Sequence, residues 1–542
     1  MTKKHRGSTQ SQAGTSRQFE SRFYRNLIII TVVGTLLAFL VPSTLLKSQV
    51  EAPVIAVLSQ LVLLFSVFLL MLLTIQENHH KYIRKQNIED YMRQMRAERR
   101  IRYAKAVEQL SDESQSLRLS SIYTLISLVD EWIIDDNLSA EEQLQEGQKI
   151  INDICAYISS PPSQIFKAES CDDDMDASDY AGDFITDQAI FRNEQEIRRT
   201  IFTEISKRSS TLIKDESTEG SVIPGKWSRF TFNFNEAVIF YPLDGLIVEN
   251  AVFSAANFYG EAIFHRTTFI GNIDFSNAAF EDTAVFDYAT FAGDVNFSTV
   301  VFGGDARFRE AVFVGSSDFN GARFKGDVFF SWGTFNASTN FRDTYFNGHT
   351  DFRGVTFSTD AGFSRAIFID SVSFLRTYFG GNTSFFEVVF TGEADFSEAT
   401  FKKQAGFNYA VFTRGANFRR SRFGRLAGFG QATFEASVDF IGTAFMGDTD
   451  FCDIYCSMQP PIFVGENKEA GNIHRAHFAA LSLSGSQEVS SFTVNRNSKP
   501  IPIGAAELNS RIYRIPVGTV LFDPGSWDEE KQEYTRVSEP AK

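Results

Sequence analysis

Cysteine is scarce: four in 542 residues, with Cys155 and Cys171 far in sequence from Cys452 and Cys456. That excludes a disulfide framework and fits a reducing compartment. Catalytic signatures are missing as well. No phosphate-cradling glycine-rich loop with its lysine, no Gly-x-Ser-x-Gly, no His-Glu-x-x-His and no dinucleotide fingerprint occurs. No enzyme class is therefore indicated and no cofactor is called for. Proline is absent from Leu243 to Gln459, as expected if nearly every backbone N–H there serves a hydrogen-bonded ladder. Two long apolar runs near the N-terminus carry no charge in their middles, which argues against a channel or transporter made of oligomerised hairpins.

What the chain does have is phenylalanine, 56 of them. From Phe253 to Phe451 they recur at steps alternating five and six without a failure: Phe253, Phe258, Phe264, Phe269, Phe275, Phe280, Phe286, Phe291, on through Phe341, Phe346, Phe396 and Phe401. Two residues before each Phe sits a small or β-branched residue, such as Ala251, Ala256, Thr267 or Ile273. A spacing of two puts both side chains on one face of an extended segment. Helix is excluded, because steps of five and six drift around its surface and Gly, Thr, Asn and Asp are spread throughout. A coil of about 22 residues, as two 11-residue repeats, gives four sides, each with one small residue and one Phe pointing in. About nine such coils, roughly 4.8 Å apart, make a rod on the order of 45 Å long with Phe columns inside. Ten of the eighteen six-residue steps carry Gly two residues after Phe, for example Gly260, Gly293 and Gly326. The expectation is that this longer corner needs unusual φ/ψ. Unbroken phase argues against a low-complexity or amyloid-like segment.

The units Ala256-Asn257-Phe258, Ala322-Arg323-Phe324, Ala394-Asp395-Phe396 and Ala416-Asn417-Phe418 resemble the pentapeptide-repeat family. The resemblance implies a right-handed quadrilateral β-helix. The chain departs from the family pattern in its extra residue in alternate units and in Phe where Leu is common. The segments Arg102–Leu110 and Leu117–Leu125 resemble a helical module that stands between membrane spans and such repeats in bacterial membrane proteins; Ser120-Ser121 replaces its usual Gly-Gly.

Leu27 to Leu46 and Pro53 to Ile75 are apolar runs, each long enough to cross a ~30 Å hydrocarbon core at about 1.5 Å per residue. They predict a two-helix transmembrane hairpin. Six Lys and Arg precede it, from Lys3 to Arg25, and nine follow, from Lys81 to Lys105. Both ends are thereby expected in the cytoplasm, with a multi-pass chain in the cell (inner) membrane. The alternative makes the first run a signal peptide. Arg84, Lys85, Arg93 and Arg96 of the basic stretch are candidates to face anionic lipid headgroups of the bilayer.

The expected organisation is a disordered basic N-terminus (1–21) and the hairpin (22–76). Next come a basic juxtamembrane helix and acidic α-helical connector (77–214), then the β-helix (215–456, regular from about 246). A cap (457–525) and a disordered tail (526–542) complete it. A helix is expected from Asp187 to about Lys214. Acidity belongs mainly to the connector: residues 106–246 carry 27 Asp+Glu against 11 Lys+Arg. Asp172, Asp173, Asp174, Asp176, Asp179 and Asp183 lack the Gly and Glu of a calcium loop and read as a flexible acidic loop. Cys452, Cys456, His474 and His477 could offer four zinc ligands, but Cys456 falls in the phase of an inward core position. The preferred reading is a non-enzymatic, membrane-anchored scaffold that binds an unknown protein, with no nucleic acid expected. The alternative, implied by the resemblance, is a DNA-mimic regulator of an enzyme such as a topoisomerase; scattered rod arginines and the anchor speak against it.

Overall fold

The computed structural model describes residues 25–34, 36, 52–160, 184–213, 221–466, 473–480, 490–530 and 533–542. The chain divides into two compact units, Met1–Arg102 and Tyr103–Lys542.

In the first unit an apolar helix, α1 (Arg25–Gly34), precedes α2 (Ala52–Gln109), whose last residues belong to the second unit. No Gly, and no Pro beyond Pro53, interrupts α2, so the apolar run and the basic stretch form one continuous helix. Among the described residues α2 alone is long and apolar enough to cross a membrane, and its apolar stretch is not buried in the protein. Residues 35 and 37–46 of the first apolar run lie outside the described residues, as do residues 47–51 and 1–21. The described residues thus carry one spanning-length helix where the sequence leads one to expect a pair. Gly34 sits against α2: a Cβ there would lie 2.5 Å from Ser66 Oγ. Hydroxyls in these apolar helices donate to carbonyls four residues back, Thr31 to Leu27, Ser66 to Val62 and Thr74 to Leu70.

The second unit opens with α3 (Gln115–Ile133), α4 (Ala140–Ser159) and α5 (Phe184–Ser206). A capping box starts α4: Ser139 Oγ accepts from Glu142 N–H at 3.2 Å, and the Glu142 carboxylate accepts from Ser139 N–H at 2.9 Å. Ile122, Leu125 and Val129 of α3, Ile150, Ile154 and Ile158 of α4, and Ile201, Phe202 and Ile205 of α5 share one core with Trp227, Phe230, Phe232 and Phe234. The helices therefore close the open end of the rod. Phe202 stacks on Phe253 and meets Phe234 at a tilt, continuing a ring column into α5. A buried ion cluster fixes the junction. Arg198, 2% exposed, donates to Glu194 and to the carbonyls of Ile158 and Ser160 at 2.7 Å each, while Arg118 and Tyr157 also reach Glu194. The expected helix to Lys214 ends instead at Ser206. Glu249, buried in the first coil, accepts the N–H and Oγ–H of Ser210 and pulls the chain out of helix.

The rod is four parallel ladders of two- and three-residue strands, 12, 11, 9 and 12 strands long. We call their outer surfaces the first to fourth faces, in chain order from the strands Ala251–Val252, Asn257–Phe258, Ala262–Ile263 and Thr268–Ile270. Register advances by 22 residues per coil, as in Ile273↔Val295, Ala279↔Val301, Ala284↔Ala306 and Thr290↔Val312. The twelve phenylalanines named above are 0–1% exposed. Rings one coil apart stack nearly parallel, Phe275 on Phe297 at 5.0 Å and 1°, and adjoining columns meet edge-on, Phe275 with Phe286 at 80°. At four small inward slots a Thr hydroxyl donates to a carbonyl of the preceding coil: Thr267 to Leu243, Thr344 to Phe319, Thr377 to Phe352, Thr443 to Phe418.

The corners correct one expectation in part. Left-handed φ occurs every eleven residues in the shorter, five-residue corner, where Ala255, Arg266, Asn277, Tyr288 and their successors through Asp453 sit. In the six-residue corner Gly260 and Gly271 have the expected positive φ, but the other eight corner glycines, Gly293, Gly304, Gly315 and Gly326 among them, do not. They are Gly because coils nearly touch there: a Cβ on Gly326 would lie 2.6 Å from Gly304 C, and one on Gly447 would lie 2.6 Å from Arg425 C.

Beyond Cys456 the ladders continue although the spacing is lost. Phe445 pairs with Phe478 and Phe478 with Leu521 on the fourth face, and Thr449 pairs with Ser490 on the first. The hairpin Ile503–Leu508/Arg511–Pro516 follows. Residues 526–542, expected to be a disordered tail, include a short hairpin of Trp527–Asp528 with Glu533–Tyr534. They end on the Ile503–Leu508 strand, with Ala505 N–H donating to Lys542 O at 2.8 Å. A strand edge with free backbone groups takes the last residues as its partner.

Candidate interaction surface

Each coil leaves a fixed set of outward positions, so residues 22 apart in sequence become neighbours along the rod. On the third face and its corner this brings together His265, Asp287, Tyr288, Arg307, Arg309, Glu310, Ser331 and Trp332 around an open groove of about 670 Å³. Asp287, 6% exposed, accepts from Arg307 Nη2 at 3.0 Å and from Arg309 N–H at 2.9 Å. The Arg309 guanidinium lies over Phe329 at 4.4 Å. Tyr288 donates to Glu310 at 3.2 Å, and that hydrogen bond holds its phenol above the ordinary tyrosine range. His265 meets the Tyr288 ring edge-on at 5.5 Å. Trp332 stands on a left-handed corner and is 62% exposed. Its ring rests where a side chain at position 354 would be, 2.5 Å from a Cβ built on Gly354. Exposed Trp and Tyr beside stacked Arg is the composition of a protein-binding hot spot.

Elsewhere on the rod, opposite charges are paired from coil to coil. Arg365 makes a two-pronged contact to Asp343 at 2.6 Å, and Arg376 bonds Glu398 at 2.7 Å. These hydrogen bonds hold the Asp343 and Glu398 carboxyls below the usual carboxylate range. Arg419 likewise reaches Asp439 across coils, whereas Arg353 grips Asp351 within one coil. Seven of the rod's arginines are thus ion-paired with carboxylates of the rod itself.

On another corner His349 Nδ1 lies 2.8 Å from Ser371 Oγ, and Asp327 accepts the His349 backbone N–H. Asp327 touches the backbone and not the ring. This column and the Tyr288–Trp332 groove were missed by reading motifs along the chain; the signal that finds them is the 22-residue step itself.

The four proposed zinc ligands do not converge. Cys456 replaces Phe at the end of a ring column, opposite Phe434 and fully buried, and burial pushes its thiol up to about 11. Cys452 contacts Thr493. Among the described residues no three His, Cys, Asp or Glu side chains form a metal-holding group. Residues 161–183, with the acidic loop, lie outside the described residues. Arg84, Lys85 and Arg93 are exposed on α2 and Arg96 is half-buried.

A family model described as "Pentapeptide repeats (9 copies)" matches residues 253–301, 286–331 and 385–430. Comparison with curated proteins and with solved structures gives no match.

Proposed function

We propose, from the premise that the rod belongs to the pentapeptide-repeat family, that this chain is a membrane-tethered, non-catalytic module that binds another protein. The observation that carries the tether is the bare apolar band of α2. Leu61, Leu64, Phe65, Phe68, Met71 and Leu72 are 47–66% exposed, a contiguous patch that water-facing helices do not keep. The back-bonded hydroxyls of Thr31, Ser66 and Thr74 agree, since a hydroxyl in hydrocarbon needs a partner within its own helix. The close approach of Gly34 to Ser66 supports a hairpin, because small residues let membrane helices touch. Basic residues flank both sides of that hairpin, so its ends and the rod lie in the cytoplasm. Arg84, Lys85, Arg93 and Arg96 then meet anionic headgroups, at about 1 kcal/mol each.

Binding belongs to the rod, with Trp332 and Tyr288 as anchors for a protein partner. Flotation with lipid vesicles tests the tether: the full chain floats and resists a high-salt wash, whereas Leu64→Arg/Phe68→Arg stays at the bottom. Labelling of cysteines placed at Ser48 and at Thr413 in sealed vesicles tests topology. Reaction of both from the same side refutes the hairpin. Crosslinking in native membranes with mass spectrometry identifies the partner, and Trp332→Ala/Tyr288→Ala loses it.

A further inference from the structure

The second face differs from the first and the fourth. Its outward strand positions include Tyr345, Ile367, Val389 and Val411 on four successive coils, in register Tyr345↔Ile367↔Val389↔Val411. Ile369, two residues beyond Ile367 and so on the same surface, adds to the stripe and is 37% exposed. The corresponding positions on the first face are mostly Asp, Asn, Gly and Ser, and on the fourth mostly Thr.

Charge brackets this stripe with opposite signs. One coil before Tyr345 stand Arg323 and Lys325, and one coil after Val411 stand Thr433 and Glu435. Lys325 and Glu435 are exposed, and among the described residues neither makes an ion pair within the chain. The midpoint of the apolar stripe falls between Ile367 and Val389. The midpoint between Lys325 and Glu435, counted in coils, falls at the same place.

We propose that this face pairs with the same face of a second copy, antiparallel, about a twofold axis passing between Ile367 and Val389. Such an axis lies in the interface and perpendicular to the rod, so each outward column meets itself in reverse order. Ile367 then opposes Val389, Tyr345 opposes Val411, Asn347 opposes Thr413, and Lys325 opposes Glu435 twice. A shift by one coil sets Lys325 opposite Thr413 or Ser457 and loses both ion pairs. Parallel pairing instead stacks the Arg323–Lys325 row on its own copy, like charge on like. The charges select one orientation and one register.

The contact is small. Six coils by three residues is roughly 300 Å² per copy, below the ~800 Å² of a standard interface. The pair therefore forms where the chains are concentrated, and to that extent it rests on the membrane reading.

The test uses the full chain in lipid vesicles, with Cys155 and Cys456 replaced by Ala and Cys171 and Cys452 by Ser. Flotation and a melting curve show beforehand that each variant is membrane-bound and folded. Asn347→Cys/Thr413→Cys yields a disulfide-linked dimer on mild oxidation, whereas Asn347→Cys alone does not, its two thiols lying three coils apart, roughly 14 Å. Adding Lys325→Glu lowers the dimer yield about 5-fold, and adding Glu435→Lys to that restores it. Crosslinking by Asn347→Cys alone, no dimer from the double-cysteine chain, or a yield that Lys325→Glu leaves unchanged overturns the proposal. A chain that fails to float refutes the tether instead. A floating, folded chain that does not crosslink refutes the pairing alone.

Discussion

The middle of the rod and its last coil hold their rings in the same way but space them differently. From Phe253 to Phe451 rings one coil apart lie 4.4–5.2 Å from each other. Past Phe451 the next rings are Phe463, Phe478 and Phe492, at intervals of 12, 15 and 14 residues. They still stack on Phe440, Phe445 and Phe451 at 5.4, 4.8 and 5.6 Å. The inward register is thus imposed by the column already built, while the length of a corner is free once the chain has somewhere to put the excess. Strict spacing records short corners; it is not a condition for joining the core.

That contrast can be broken by substitution. Phe341→Ala, in mid-column with rings on both sides, should cost about 3–5 kcal/mol. Phe478→Ala, with one stacked neighbour and loops around it that can collapse, should cost about 2–3 kcal/mol. Hydrogen exchange separates the two, opening several mid-rod coils in the first case and the last coil alone in the second. Equal losses would mean that the final coil is as tightly built as the middle.

Glycine sharpens the same point. Gly326→Ala forces a methyl into the coil before it and should cost about 1–3 kcal/mol. Gly406→Ala, with nothing within 4 Å of the added carbon, should stay within about 0.5 kcal/mol in thermal unfolding.

The helical end carries two groups that burial pushes far up in pH. Burial, and then the hydrogen bond to Asp153, push Tyr103 up to about 12, and burial pushes Cys155 up to about 12. A folded-state pKa above the unfolded value means stability that is present below the unfolded value and lost as pH rises. Melting temperature should therefore fall between about pH 9 and 12, with loss of helix first, and Tyr103→Phe should blunt the fall. The smallest effect is expected of Trp332→Ala, within about 0.5 kcal/mol of the parent in chemical denaturation while partner crosslinking is lost.

Much of the fold was legible along the chain because each Phe has a side-chain identity and a phase that survive without any long-range information. The four-sided coil, the ring columns and the place of Cys456 in one of them follow from that phase. The ordered residues after Trp527 were not legible, because a polar segment joins a strand edge through its backbone, which carries no sequence mark. The interaction groove was half legible. Tyr288, Arg309 and Trp332 are plain in the sequence, but only the 22-residue register makes them neighbours.

By itself the sequence determined which side chains point inward, since burial of a ring every five or six residues admits one extended phase. It also determined where the bare apolar helix lies. Tertiary structure decided the rest: that α3 to α5 close the rod instead of linking to it, through Arg198 and Phe202, and that close coil contact rather than backbone twist demands eight of the ten corner glycines. Those outcomes turn on distances between residues remote in the chain, which a local pattern does not encode.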